Sequence, residues 1–305
     1  MTVHQVRYEP FRGMRLGPFR RMLAITRVGI RLGLRRRFLV IAMILVVPLT
    51  FMFGMLFYLA SSGVGEFLGR TSLLFFTSEQ WREFLGDHVN IYNLWAVLLN
   101  RHMHFQMLWA LVIIPWVGPS LLADDFQSRA LAIYFSKPIT RFEYLFGKWL
   151  VLAFFVACVT AVPSTVLYAA SILFCRDLDI LRHTAYLVPA AWLHVLVVSV
   201  VGGLMMMAFS ASGRSRRFAA LGWLMTILCS WGLASVVEWA PHEMKPVWAT
   251  VISLTQDVDM VGRAFFRVKQ DVDASAFWAL GVLAGVGVVS ALYLWRRVHT
   301  VEVLR

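Results

Sequence analysis

The sequence is poor in charge. Only 15% of its 305 residues are Asp, Glu, Lys or Arg, whereas 59% are hydrophobic. A soluble globular domain carries about 25% charged and about 45–50% apolar residues, so this composition excludes an ordinary soluble enzyme and a disordered chain. Cysteine is also scarce, and Cys158, Cys175 and Cys229 are scattered, which excludes a disulfide framework and gives no zinc-site pattern.

Several catalytic motifs are missing as well. Gly147-Lys148 is followed by Trp149, and no glycine lies five residues before Gly147, so the chain lacks a Walker A loop. It also has no Gly-x-Ser-x-Gly and no His-Glu-x-x-His motif. We therefore predict that this chain is not an enzyme and holds no cofactor or metal. His102 and His104 leave a copper site open, but residues at i and i+2 of a helix point apart.

The apolar residues are gathered into long runs that suit a lipid bilayer. A membrane-spanning helix needs about 20 apolar residues, and a β-barrel would show short alternating strands instead. Six runs of that length contain a single charged residue, Glu238. We predict an all-α, polytopic membrane protein with one transmembrane domain over 1–305, whose spans are 38–60, 104–123, 149–174, 186–209, 218–240 and 276–295.

The charges between the spans predict an orientation. If the N-terminus is cytoplasmic, the inner segments 1–37, 124–148, 210–217 and 296–305 hold 20 Lys and Arg against 5 acids. The outer segments hold 9 against 11. This asymmetry follows the positive-inside rule, places both termini in the cytoplasm and accounts for the net charge of +12 without a nucleic-acid partner.

Two amphipathic segments lie outside the spans. Within 1–37, Phe19, Leu23, Ile30 and Leu34 share one side of a helix beside an arginine stripe, which predicts a cytoplasmic helix at the lipid surface. It either anchors the topology or moves with a cytoplasmic partner. A second apolar stripe runs from Val247 to Val268, with Pro246 in the first turn, and predicts an outer surface helix packed on neighbouring spans. Its off-stripe side chains are Asp257, Asp259, Arg263 and Lys269.

The segment 124–148, between spans two and three, predicts a helical elbow. Residues 126–135 can form a short helix, and Pro138 disfavours helix at Lys137, so the chain should turn there. Thr140 and Glu143 have the spacing of a capping box, which predicts a second helix that starts at Arg141 and enters span three. Aromatic side chains beside arginines are typical of an interface core.

The residues of the elbow also carry a family resemblance. They read Ser136-Lys137-Pro138-Ile139-Thr140-Arg141, then Glu143-Tyr144, then Gly147-Lys148. This resembles the Ser-Arg-Pro-Val-Ser-Arg…Glu-Tyr…Gly-Lys stretch of type-2 ABC exporter permeases, including the nitrous-oxide-reductase maturation, sodium and antibiotic exporters. Those permeases share the six spans, cytoplasmic termini and arginine-rich first helix. The chain departs from them at Arg129-Ala130, where the family often has Gly-Thr.

The resemblance implies a mechanism. A separate cytoplasmic ATPase subunit, which holds ATP and Mg²⁺, would dock on the elbow and rock the spans. A second permease copy or a paralogue would complete the transporter in the lipid of a prokaryotic inner or plasma membrane. The residues expected to couple to the ATPase are Asp124, Asp125, Phe126, Arg129, Tyr134, Lys137, Pro138, Thr140, Arg141 and Glu143.

Two other classes of function remain open. A channel or structural membrane subunit would not need the elbow and would have no ATPase partner. An intramembrane enzyme would need polar catalytic groups inside its spans, where the sequence offers little beyond Glu238 and His194. The cargo cannot be read from the spans, because apolar side chains line most membrane helices.

Overall fold

The computed structural model describes most of the chain as a helical bundle. It describes residues 17–61, 91–128, 130–135, 139–174, 179–212, 215–238, 251–268 and 276–300. The regular structure in these ranges is helical throughout. The helices are α1 Pro18–Leu34, α2 Arg37–Ser61, α3 Ile91–Val117, α4 Pro119–Gln127, α5 Ala130–Phe135, α6 Arg141–Val159, α7 Ala161–Phe174, α8 Asp179–Thr184, α9 Leu187–Ala211, α10 Arg216–Glu238, α11 Leu254–Phe265 and α12 Ala276–Thr300.

In the part of the chain that the structure describes, six helical segments are long and apolar enough to cross a bilayer, which confirms the predicted helical architecture with six candidate spans. Spans one, five and six are the single helices α2, α10 and α12. Spans two, three and four are longer and combine α3 with α4, α6 with α7, and α8 with α9. They cover Leu94–Gln127, Arg141–Leu173 and Ile180–Ala211.

The helix of span two is longer at both ends than the charge-free run predicted. It begins at Ile91 instead of residue 104, and it accommodates His102, which is fully buried and hydrogen-bonded. At the other end it continues past the predicted limit at Ala123 to Gln127. The prediction of one short helix over 126–135 is therefore wrong. Phe126 belongs to the end of α4, and only Ala130–Phe135 forms the separate helix α5.

Short breaks in spans two and three coincide with prolines. α3 ends at Val117 and α4 starts at Pro119, while α6 ends at Val159 and α7 starts at Ala161, with Pro163 in its first turn. Proline lacks the N–H that an α-helix requires, so it is accommodated best where a helix begins. The Thr160 hydroxyl donates to the carbonyl oxygen of Val156 at 2.6 Å, and the same oxygen accepts from the backbone N–H of Thr160 at 3.0 Å.

Helix α1 packs lengthwise against α6 through its small residues. Gly29 meets Val151 and Gly33 meets Phe155, so equal steps along the two helices keep them side by side. The Thr26 hydroxyl donates to the carbonyl oxygen of Gly147 at 3.0 Å. The absence of side chains at the two glycines permits this close approach.

Most of the apolar stripe predicted in α1 faces away from the bundle, although Ile30 is half-buried and packs against the core. Phe19, Leu23 and Leu34 are all exposed on the bundle surface, between the glycine face and the arginine stripe. The helix therefore has one face for α6, one apolar face free for lipid and one basic face. A surface position of α1 in the membrane remains a prediction.

Helix α11 begins later than predicted. Residues 246–250 lie outside the described part of the chain, and the helix starts at Leu254. The Ser253 hydroxyl caps it by accepting a hydrogen bond from the backbone N–H of Gln256 at 3.4 Å. Val258 and Val261 are buried as the stripe predicts. Asp257, which the stripe places off the buried face, is nevertheless fully buried.

The packing of α1 generates a test with a matched control. A Cβ atom at Gly33 would lie 2.5 Å from Cζ of Phe155, whereas one at Gly281 would meet no atom within 4 Å. We expect Gly33→Leu to destabilise the bundle by about 1–3 kcal/mol through overpacking. Gly281→Leu should leave the unfolding temperature in detergent unchanged or higher. Equal unfolding temperatures for the two variants would contradict the observed α1–α6 contact.

Candidate functional site

The elbow end of the bundle is built around three carboxylates, and the first of them joins α4 to α10. Asp124 receives two hydrogen bonds from Arg216, with Oδ1 2.5 Å from Nε and Oδ2 2.6 Å from Nη2. A bidentate pair of this kind fixes orientation as well as distance. It ties the end of span two to the start of span five.

The second carboxylate joins α4 to α6. Oδ2 of Asp125 accepts a hydrogen bond from the hydroxyl of Tyr144 at 2.5 Å and one from Nζ of Lys148 at 2.7 Å. The ring of Tyr144 is buried beneath α5, where Tyr134 and Phe135 lie 5.8 Å and 5.9 Å from it between ring centroids. The charge pair thus sits beside a small aromatic core.

The third carboxylate caps α6 and holds α1. Glu143 Oε2 accepts from the backbone N–H of Thr140 at 3.0 Å, and the hydroxyl of Thr140 accepts from the backbone N–H of Glu143 at 3.2 Å. These two bonds confirm the capping box that the sequence predicts. Glu143 Oε1 lies 3.2 Å from Nη2 of Arg21, so the buried carboxylate also has a cationic partner on α1.

Span six reaches the elbow through its last turns. A guanidinium nitrogen of Arg141 lies 2.6 Å from the imidazole of His299. Arg297 donates from Nε to the carbonyl oxygen of Ala211 at 3.2 Å and places its guanidinium 5.8 Å from the ring centroid of Phe126. The elbow is therefore fastened to α1, α9, α10 and α12 as well as to its own spans.

Outside its ion pairs, the elbow exposes apolar side chains on its surface. Ile133 is 63% exposed, Phe142 is 59% exposed and Tyr134 is 36% exposed. Phe142 is stacked on Phe146, with ring centroids 5.6 Å apart, which restricts its motion. Partial burial and the nearby carboxylate of Asp125 raise the pKa of Tyr134, so its phenol stays neutral at physiological pH. We refer to Ile133, Tyr134 and Phe142 as the elbow patch.

The ten residues expected to couple to an ATPase divide into four groups. Asp124, Asp125, Thr140 and Glu143 make bonds within the chain, so their first role is to shape the elbow. Phe126 and Arg141 are half-buried contacts to α12, and Tyr134 is on the open surface. Arg129, Lys137 and Pro138 lie outside the described residues.

Sequence reasoning missed the partners of these residues. Arg21, Arg216 and Arg297 were counted only in the basic balance, and His299 was not singled out. Each nevertheless contacts the elbow or the helix ends beside it. Ile133 carries no polar group that would have marked it. The basic residues of segments 1–37, 210–217 and 296–305 were the available signal, but charge counting does not identify pairs.

Spans one to three enclose a polar cluster that the sequence pattern did not predict. His102 Nδ1 lies 3.1 Å from the hydroxyl of Ser164, and its Nε2 lies 3.0 Å from Nε2 of Gln106, which also donates to Thr50 at 3.2 Å. Because Ser164 donates to the carbonyl oxygen of Thr160, it accepts from His102. Both ring nitrogens of His102 are therefore engaged in hydrogen bonds.

The two histidines singled out for copper face different surroundings. His102 is enclosed by this cluster, whereas His104 lies 2.9 Å from Oδ1 of Asp259 on α11. Within the described ranges, no group of three His, Cys, Asp or Glu side chains converges on a point.

A small apolar cavity lies between the spans and α11. It is lined by spans two, four, five and six and by α11, including Met107, Val201, Trp223, Val258 and Leu283. Its volume of about 30 Å³ suits one or two waters and is far too small for a lipid or a peptide. In this conformation the cavity is not a transport pathway.

No family model and no curated protein matches this chain. Its function must therefore be inferred from the geometry of the elbow together with the resemblance of its residues to a known motif.

The Asp125 contacts generate a double-mutant test. We expect Tyr144→Phe to reduce the free energy of unfolding in detergent by about 1.5–3 kcal/mol, because it removes a hydrogen bond to a charged group. In an Asp125→Ala background the same change should cost far less, since its partner is gone.

Tyr168→Phe is the matched control. Its hydroxyl bonds the neutral Thr184 hydroxyl at 3.0 Å on the other side of the bundle. It should cost about 0.5–1.5 kcal/mol in both backgrounds. If the losses in free energy of unfolding caused by Tyr144→Phe and Asp125→Ala were additive, their hydrogen bond would not stabilise the elbow.

Proposed function

We propose that this chain is the membrane-spanning permease subunit of an ABC transporter, an exporter powered by a separate cytoplasmic ATPase. The ATPase would hold ATP and Mg²⁺, and the elbow would receive its movement. The observation that carries the proposal is the elbow patch, an exposed apolar surface mounted on an internally paired set of charges. The resemblance of residues 136–148 to exporter permeases supports the same function.

The chemistry of the elbow patch suits a protein partner. Interface cores are enriched in aromatic residues and depleted of unpaired charge, because each buried charge must otherwise lose its hydration. At the elbow, Asp124, Asp125 and Glu143 already have cationic partners within the chain. A partner could cover Tyr134 and Phe142 without stripping water from an isolated carboxylate.

The connections of the elbow suit the transmission of force. The capped helix α6 runs without interruption from Arg141 to Val159, and α1 is packed along it. The pairs Asp124–Arg216 and Arg141–His299 join the same region to spans five and six. Displacement of the elbow would therefore move several spans together, as an ATP-driven exporter requires.

The proposal carries further expectations for the assembly. Two permease subunits, identical or paralogous, would be needed to form a pathway in the lipid bilayer. The charge asymmetry supports an orientation with the elbow and both termini in the cytoplasm. The resemblance to exporter permeases supports the inner or plasma membrane of a prokaryote. A channel or a structural subunit without ATP coupling is the alternative, and it predicts that lipid or solvent covers the elbow patch.

Removal of the exposed aromatics tests the proposal. We expect Tyr134→Ala and Phe142→Ala each to weaken association with the ATPase about thirtyfold, the effect of losing about 2 kcal/mol at an interface hot spot. The measurement is the amount of ATP-hydrolysing protein that co-purifies from native membranes in mild detergent, together with its vanadate-sensitive activity.

Trp278→Ala is the control, because Trp278 is 66% exposed in the first turn of α12, away from the elbow. It should leave both quantities unchanged. The proposal is wrong if no ATP-hydrolysing protein co-purifies with the wild-type chain. The proposal is also wrong if Tyr134→Ala, Phe142→Ala and Trp278→Ala retain equal amounts of the ATP-hydrolysing protein.

A further inference from the structure

Helix α11 carries a buried carboxyl group without a partner. Asp257 is fully buried, with 0% of its surface exposed, and neither of its carboxylate oxygens has a hydrogen-bond partner. The helix itself packs on α9 and α12 and contacts α3 and α10. The carboxyl is therefore enclosed near the start of a helix that packs against four spans.

The charged groups near α11 are already engaged with one another. Asp259 accepts hydrogen bonds from His104 of α3 at 2.9 Å and from Arg263 of its own helix at 2.8 Å. Although burial raises the pKa of Asp259, His104 and Arg263 outweigh that effect and lower it. Asp259 is thus the ionised member of a paired group, in contrast to Asp257.

The elements packed against α11 offer Asp257 no cation in the described residues. On α9 the buried His194 has an unpartnered Nδ1 and packs against Gly262. On α3 the titratable groups are Arg101, His102 and His104, and Arg101 has contacts of its own. The basic side chains of α10 and α12 all lie toward the elbow end, and the Glu238 side chain is outside the description.

An enclosed carboxyl without a counter-ion favours its neutral form, since ionisation would place a charge where water cannot solvate it. Burial raises the pKa of Asp257 from 3.8 to about 7. If α11 lifted into water, the carboxyl would regain its ordinary acidity. Packing of α11 and protonation of this side chain are therefore linked.

We propose that Asp257 is a proton-binding site that holds α11 against the ends of spans four and six, and that it releases its proton when α11 lifts away. This proposal rests on the packing of α11 against its neighbouring helices and does not depend on the proposed ATPase partner. It adds a proton to the species that this chain binds.

The linkage has a definite sign. Because the packed form has the higher pKa, it binds more protons than the lifted form between the two pKa values. Packing of α11 is therefore strongest in acid and weakens as the pH rises from about 4 to about 7. Above that range the weakening is complete, because both forms have lost the proton.

Hydrogen exchange of residues 254–265 in the purified, detergent-solubilised chain tests the proposal in a sodium-free buffer. After correction for intrinsic exchange, we expect the opening of α11 to increase on the order of fiftyfold between about pH 5 and about pH 7. Asp257→Asn, which is neutral at every pH, should remove this dependence and keep α11 protected. Asp259→Asn, the matched control, should retain the dependence.

Three results would overturn the proposal. One is an unchanged pH dependence in Asp257→Asn, and another is a wild-type chain whose α11 protection does not vary with pH. The third is a sodium effect: added sodium restores the protection of α11 at high pH in the wild-type chain but not in Asp257→Asn. That result would assign the site to a metal cation.

An infrared measurement keeps the test valid if Asp257→Asn fails to fold. The wild-type chain should show the C=O stretching band of a protonated carboxyl at neutral pH, and Asp257→Glu should shift that band. A wild-type spectrum without the band near neutral pH would contradict the proposal.

Discussion

The pairing of carboxylates with bases from distant parts of the chain is the constraint on which the elbow depends. Asp124, Asp125 and Glu143 bind Arg216, Lys148 and Arg21, respectively. Removing one member of a buried or half-buried pair leaves the other charge uncompensated, so such pairs are strong constraints on shape even where their net stabilisation is small. Through them, the starts of spans three and five, the end of span two and helix α1 meet at one place. The apolar surface of the elbow is carried on that framework.

The two ends of the bundle treat buried acids in opposite ways. At the elbow each carboxylate has a cationic partner, so its position is fixed. On α11 the Asp257 carboxyl has no such partner, so its neutral form is favoured instead. Fixed ion pairs suit a surface that transmits force, whereas a carboxyl that titrates near neutrality suits an element whose packing changes. The two proposals therefore concern separate regions and can fail separately.

Much of the fold could be predicted because its causes are local. The six spans follow from apolar length, and the start of α6 follows from the Thr140–Glu143 spacing, which lies within one helical turn. The predictions failed where distant residues decide the outcome. The helix of span two passes Arg101 and His102 because spans one and three supply polar partners for the imidazole. The burial of Asp257 likewise depends on the packing of α11 against other helices, which its own helical periodicity does not show.

The central claim is that the elbow patch touches an ATPase subunit in the membrane of the living cell. Site-specific photo-crosslinking tests it most directly, with a photoreactive phenylalanine analogue placed at position 134 and, for comparison, at position 278. We expect a covalent adduct between position 134 and an ATP-binding protein, and no such adduct from position 278. Crosslinking of position 134 to lipid alone, or equal adducts from both positions, would contradict the account.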